Sequence, residues 1–169
     1  MTQPRMQAIE LNLDTVGGQS WSLADQTPDT FTLLVFYRGM HCPVCKTYLQ
    51  TLEKNLGDFR NRGVNVIAVS MDDKERAEQS VKDWGLEALT VGYGLTEAAA
   101  RGWDLYISEA VSDKEPDRFS EPALHLVRPD NTIYASSIQS MPFARPALDD
   151  LLKAIDFVVE KNYPARGEA

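Results

Sequence analysis

The chain predicts an α/β fold, a central mixed β-sheet flanked by helices. Three observations carry that expectation. Nearly continuous apolar runs of strand length (Phe31 to Tyr37, Val64 to Val69) are each followed by a segment with helical spacing of its apolar residues. Two further strand candidates near the C-terminus are joined by the turn residues Pro129, Asp130 and Asn131, and an amphipathic helix follows them. At 169 residues with 43% hydrophobic and 25% charged residues, the chain is long enough for one packed core and short of what two ordinary domains need, so a single domain over residues 1–169 is expected.

Each element has its own justification. Ile9, Leu11 and Leu13 alternate with polar residues, Gly17 and Gly18 offer a turn, and Trp21 and Leu23 resume the alternation, which predicts an N-terminal β-hairpin. Phe31 to Tyr37 has the composition of a central strand covered on both faces. After Pro43, the positions Val44, Tyr48, Leu49, Leu52, Leu56 and Phe59 keep helical spacing up to Gly63, a stop signal. Val64 to Val69 predicts a second buried strand. Asp72 or Asp73 is placed to cap the next helix, whose inward stripe is Ala77, Val81 and Trp84. Leu89 to Val91 is a short strand, and Thr96 caps a brief Ala-rich helix through Arg101. Ser108 to Ser120, polar and without periodicity, is expected to be a surface insertion. Ala123 to Val127 and Thr132 to Ala135 form the late hairpin. Pro146 fits the first turn of a C-terminal helix striped by Leu148, Leu151, Leu152, Ile155, Val158 and Val159, and a frayed tail is expected from Asn162. Trp84 and Trp103 are assigned to the core, and His125, within an alternating strand, to a surface or half-buried place with a local hydrogen bond.

A net charge of -8 opposes binding to phosphate backbones and anionic lipid, which argues against nucleic-acid or membrane partners. The N-terminus has no apolar leader and no segment is long enough to span a bilayer, so a cytoplasmic protein is expected.

The two cysteines carry the chemistry. Cys42-Pro43-Val44-Cys45 lies where a buried strand ends and a helix begins, so the Cys42 sulfur is expected to face the unpaired N–H groups of the first turn. That setting lowers a thiol pKa and makes Cys42 the candidate nucleophile. Pro43 starts the helix at once through its fixed φ and has no N–H to leave unpaired. Cys45, one turn further in and beside the inward row of Tyr48, Leu49 and Leu52, fits a more buried resolving thiol. Arg38 and His41 are candidate supporting groups, able to stabilise a thiolate or move a proton if their side chains reach the sulfur, against the plainer reading of a solvated charge and an imidazole that only neighbours it in sequence. A zinc site would have to draw on His41 and His125 with no second Cys-X-X-Cys, so neither a metal nor a cofactor is expected.

The segment Phe36-Tyr37-Arg38-Gly39-Met40-His41-Cys42-Pro43-Val44-Cys45 resembles the redoxin branch of the thioredoxin superfamily, the alkyl hydroperoxide reductase and thiol-specific antioxidant group. The N-terminal hairpin, Asn65 to Asp73 and the Pro129-Asp130-Asn131 hairpin extend the likeness to a peroxiredoxin framework over roughly Ile9 to Val159, which implies a thioredoxin-like fold. The active-site pattern departs from the family. Its Pro-X-X-X-Thr-X-X-Cys motif, laid on this sequence, meets Arg38, Cys42 and Cys45, and its distant arginine falls near Pro122, where thioredoxins carry a cis-proline that offers a backbone edge to substrate. The leading expectation is therefore thiol-disulfide exchange on a disulfide-bearing protein or small molecule, with Pro122 in the substrate edge and a thioredoxin or glutathione system as reductant. A peroxiredoxin-type peroxidase is the alternative, and a non-catalytic redox-sensing module the third. Homodimerisation stays open.

Overall fold

The structure is a computed structural model describing residues 2–169. In chain order its elements are β1 (Asn12–Thr15), β2 (Ser20–Ser22), β3 (Phe31–Phe36), α1 (Pro43–Asn61), β4 (Val64–Val69), α2 (Lys74–Trp84) and β5 (Thr90–Tyr93). They continue with α3 (Glu97–Gly102), β6 (Ile107–Glu109), β7 (Arg118–Ser120), β8 (Ala123–Val127), β9 (Ile133–Ile138) and α4 (Leu148–Lys161).

Seven strands form one mixed sheet in the order β2-β1-β5-β4-β3-β8-β9. β3 pairs in parallel with β4, and β4 with β5, because helices connect them, while the β8-β9 hairpin joins β3 antiparallel. All six residues of β3 are buried, as its uninterrupted apolar run requires. Alternate side chains serve opposite layers. Leu33, Val35 and Tyr37 meet Leu49, Leu52 and Phe59 of α1 and Leu152 and Ile155 of α4. Leu34 and Phe36 meet Leu11, Leu95 and Trp103. Trp84 and Trp103 are core residues, as expected.

The capping signals work as the sequence suggests. Asp73 accepts the Arg76 N–H (2.9 Å) and Thr96 that of Ala99 (3.2 Å). Gly63, at φ +71, ends the turn after α1, and an added Cβ would come within 2.7 Å of the Asp29 side chain.

Four expectations are corrected. Ser108 to Ser120 is not a bare insertion: β6 and β7 pair across it, and Phe119 and Ser120 at its end are buried. Polar composition hid this because the buried residues lie at one end of the segment. Pro146 precedes α4, whose N-cap is Ala147. The tail after Asn162 is tied to the N-terminal segment: Arg5 donates to the Ala165 carbonyl (3.1 Å) and Gln3 to that of Glu168 (3.0 Å). His125 is fully buried against Phe36 and Trp103, its Nδ1 2.8 Å from Ser136 Oγ, and burial lowers its pKa to about 4, so it stays neutral.

Candidate active site

The dithiol is placed by the junction between β3 and α1. Gly39 takes φ +130, and a side chain there would collide with Asp72, whose Oδ1 lies 2.6 Å from where a Cβ would stand. Asp72 itself is buried after β4 and accepts the Met40 N–H at 2.8 Å while pairing with Arg76 (3.3 Å). Its pKa is raised, chiefly by burial. The strand that neighbours β3 thus fixes the loop that delivers Cys42.

Cys42 is the N-cap of α1, in extended backbone, with Pro43 as the first helical residue. Its Sγ accepts the Cys45 backbone N–H at 3.2 Å, so sulfur takes the capping role that oxygen plays in Ser or Thr. No acidic side chain occupies the first turn to offset the positive end of the helix. The Cys42 thiol is brought down to about 6, first by a hydrogen bond from the Cys45 thiol against the cost of burial, then by the Cys45 N–H and by Arg145 and Arg38. The Cys45 thiol moves the other way, pushed up by burial and by holding the proton it donates to Cys42. The two sulfurs share one proton and titrate as a pair. Neither is in a disulfide and both side chains are buried.

Two arginines bracket this pair. Arg38, at the end of β3, reaches the Cys42 sulfur, lies over the Phe119 ring at 4.7 Å and pairs with Glu121 at 3.2 Å and Glu115 at 4.0 Å. Arg145, from the loop before α4, donates from Nη2 to the Cys45 sulfur at 2.8 Å and from Nε to the Pro142 carbonyl at 2.7 Å. Its guanidinium also lies over Tyr48 at 5.1 Å, and Tyr48 in turn donates to the Pro146 carbonyl at 2.7 Å, which anchors the loop to α1. Beside the exposed Val44, a groove of about 490 Å³ runs between α1 and the start of α4, lined by Thr47, Tyr48, Thr51, Ala147 and Leu148.

The chain matches the model of the AhpC/TSA family over residues 4–136. It belongs to that family. Among curated relatives, the 1-Cys peroxiredoxin of Medicago truncatula is 28% identical over 153 residues, covering 87% of this chain and 68% of the relative. The 1-Cys peroxiredoxin PER1 of Arabidopsis thaliana is 30% identical over 139 residues, covering 80% and 62%. The chain therefore spans about two thirds of the length of these relatives. Among solved structures, a cysteine-to-serine mutant of the peroxiredoxin 6 of Arenicola marina superposes with a TM-score of 0.80 at 17% identity, over 94% of this chain and 74% of that one. A PrxQ mutant from Xylella fastidiosa gives 0.77 at 16%, over 94% and 98%. At those identities the superpositions establish the thioredoxin-like fold, and the family membership makes the chain a thiol-dependent oxidoreductase.

Within this AhpC/TSA framework the sequence-predicted residues divide. Cys42, Pro43, Cys45 and Arg38 converge. His41 does not serve as a charged partner: its ring packs on Phe119 at 4.5 Å, and burial, reinforced by Arg38, lowers its pKa to about 4. Pro122 is corrected in one respect. No peptide bond among the described residues is cis, so the bond before Pro122 is trans, and the residue is buried at the start of β8 instead of offering a cis-proline edge. Sequence reasoning missed Arg145, Glu115 and Glu121. Arg145 stands in an aperiodic stretch about 100 residues from the cysteine it contacts, and only its flanking Pro142 and Pro146, which stiffen a loop, hinted at a fixed position.

Proposed function

We propose that the protein is a thiol peroxidase in which the Cys42 thiolate attacks a hydroperoxide and Cys45 resolves the product. The observation that carries this is the Cys42 sulfur at the helix N-cap, accepting from the Cys45 N–H and bracketed by Arg38 and Arg145 in a framework of the AhpC/TSA family. Family membership favours peroxide over general disulfide exchange, and the trans Pro122 removes the feature on which a thioredoxin-like substrate edge was expected.

The Cys42 thiolate displaces alkoxide or hydroxide from the peroxide oxygen nearest it, becoming a sulfenic acid while the O–O bond breaks and the leaving oxygen takes a proton. Arg145 Nη1, buried without a hydrogen-bond partner among the described residues, is a donor available to the developing negative charge, and the Arg38 guanidinium adds positive charge beside Cys42. The Cys45 sulfur, its thiolate favoured by Arg145, then attacks the sulfenic sulfur, releasing water and closing a Cys42–Cys45 disulfide. Two thiols of an external reductant, of the thioredoxin or glutathione class, reopen it. The groove beside Val44 gives room for an organic substituent on the peroxide.

A second reading exchanges the roles. Cys45 occupies the peroxidatic position of the family motif and carries the direct 2.8 Å contact from Arg145. Stopped-flow oxidation by hydrogen peroxide and cumene hydroperoxide, with dimedone trapping of the sulfenic acid, separates the two. Under the first reading Cys45→Ser keeps the fast oxidation and traps the adduct on Cys42, while Cys42→Ser loses it. An adduct on Cys45 of the Cys42→Ser variant, formed at the wild-type rate, establishes the exchanged roles. Peroxide oxidation of the wild type no faster than that of a free thiol rejects both.

A further inference from the structure

Glu121 is buried to 4% exposure two residues before β8, where a carboxylate is costly to hold unless it is paired. The sheet register explains why it is there. Phe36 of β3 pairs with Ala123 of β8 in an antiparallel ladder, so continuing the same register sets Tyr37 opposite Pro122 and Arg38 opposite Glu121. Pro122 has no N–H to continue the ladder, and the facing charges lie just beyond its end. The backbone of Glu121 is pinned by its N–H to the Tyr106 carbonyl (2.8 Å), and Ser108 Oγ donates to Oε1 (2.7 Å), which turns Oε2 toward Arg38 Nε at 3.2 Å. That last contact is an ion pair without a well-aimed N–H, since neither atom completes a hydrogen bond.

We propose that Glu121 is a positioning residue, whose carboxylate, oriented by Ser108, holds the Arg38 guanidinium against the Cys42 sulfur. A free arginine at a strand end would extend its charge into water. Here the guanidinium is enclosed on the side of the β6-β7 hairpin by the Phe119 ring, Glu115 and Glu121. The hairpin thereby determines how much positive charge the thiolate meets, and its relevance to turnover rests on the peroxidase reading with Cys42 as the attacking sulfur.

The sign of one measurement decides it. The charged groups around Cys42 are Cys45 on α1, Arg38 at the end of β3 and Arg145 before α4, with Glu115 and Glu121 behind Arg38 and His41 held neutral between Arg38, Glu115 and Arg76. If Glu121 only offsets the charge of Arg38, Glu121→Gln leaves the guanidinium unopposed and lowers the pKa of the dithiol. If it positions Arg38, the same change releases the guanidinium and raises that pKa by about one pH unit, as expected for losing a nearby opposite charge.

Thiolate absorbance and iodoacetamide alkylation rates, followed against pH in the reduced protein, report this without any peroxide. The expected pattern is a rise in Glu121→Gln, a similar rise in Arg38→Ala and no further rise in the double variant. An unchanged or lowered pKa in Glu121→Gln, or additive effects in the double variant, overturns the proposal. Should Glu121→Gln fail to fold, Ser108→Ala keeps the carboxylate but frees its orientation: a smaller rise supports the proposal and no rise overturns it. Because the titration needs no peroxide, loss of the peroxidase reading and loss of this one are read from separate experiments.

Discussion

Cys42 faces Arg38 and the β6-β7 hairpin, while Cys45, three residues later, faces Arg145 and the loop that enters α4. Arg145 acts on both sulfurs and Arg38 on Cys42 besides, yet the first thiol is acidified and the second is not. The difference lies in the donors of the helix itself. Cys42, as N-cap, accepts hydrogen bonds from the Cys45 N–H and the Cys45 thiol, whereas Cys45, inside the first turn, must keep its proton to donate that bond and carries the larger burial penalty. An arginine at 2.8 Å does not outweigh that burial. Position relative to the helix end decides which of two similar thiols ionises, and the arginines adjust the result.

Arg145→Ala removes the donor to Cys45 and is expected to slow disulfide closure by roughly a hundredfold, as loss of one preorganised donor does, while alkylation of Cys42 changes only a few-fold. Single-turnover kinetics that follow sulfenic acid decay check this, and a similar loss in the initial peroxide step would move the attack to Cys45.

A pH profile sharpens the same contrast. Since the thiolate is the reactive form, alkylation of Cys42 rises as pH increases through about 6 and is flat above it. At pH 7 that gives roughly 30-fold more thiolate than a thiol with a pKa of about 8.5. Cys45 stays unreactive across the same range, because its displaced pKa runs upward. Mass spectrometry of the labelled site at each pH distinguishes the two sulfurs.

The smallest effect is expected at His41. His41→Phe keeps an aromatic ring against Phe119 and removes a base already neutral above pH about 4, so reactivity at neutral pH changes by less than about twofold. A larger drop, measured as alkylation rate, would show that the imidazole handles a proton after all.

Most of the scaffold was legible because its signals are local. The all-buried β3 follows from an apolar run, β4 from another, the caps at Asp73 and Thr96 from single side chains, and the reach of α1 from helical spacing that stops at Gly63. The β6-β7 hairpin was misread because five of the eight residues from Ala110 to Asp117 are polar or charged, and composition says nothing about the one buried ring at Phe119 that seats it. His125 was misread for a related reason: alternation assigns a face to a residue but cannot tell that the outer face is covered by Trp103.

The site shows the same division. The order of residues alone determined that two thiols would stand one turn apart at the start of a helix, with a proline to begin it, because a strand, a tight loop and a helical stripe adjoin in the chain. Only the tertiary structure decided which charges meet them. Arg145 arrives from 100 residues away, and Glu121 meets Arg38 at 3.2 Å just past the paired end of the antiparallel β3-β8 ladder. Charge acts through space over a few ångströms, and no spacing rule along the chain encodes which distant loops the folded sheet will bring within that range.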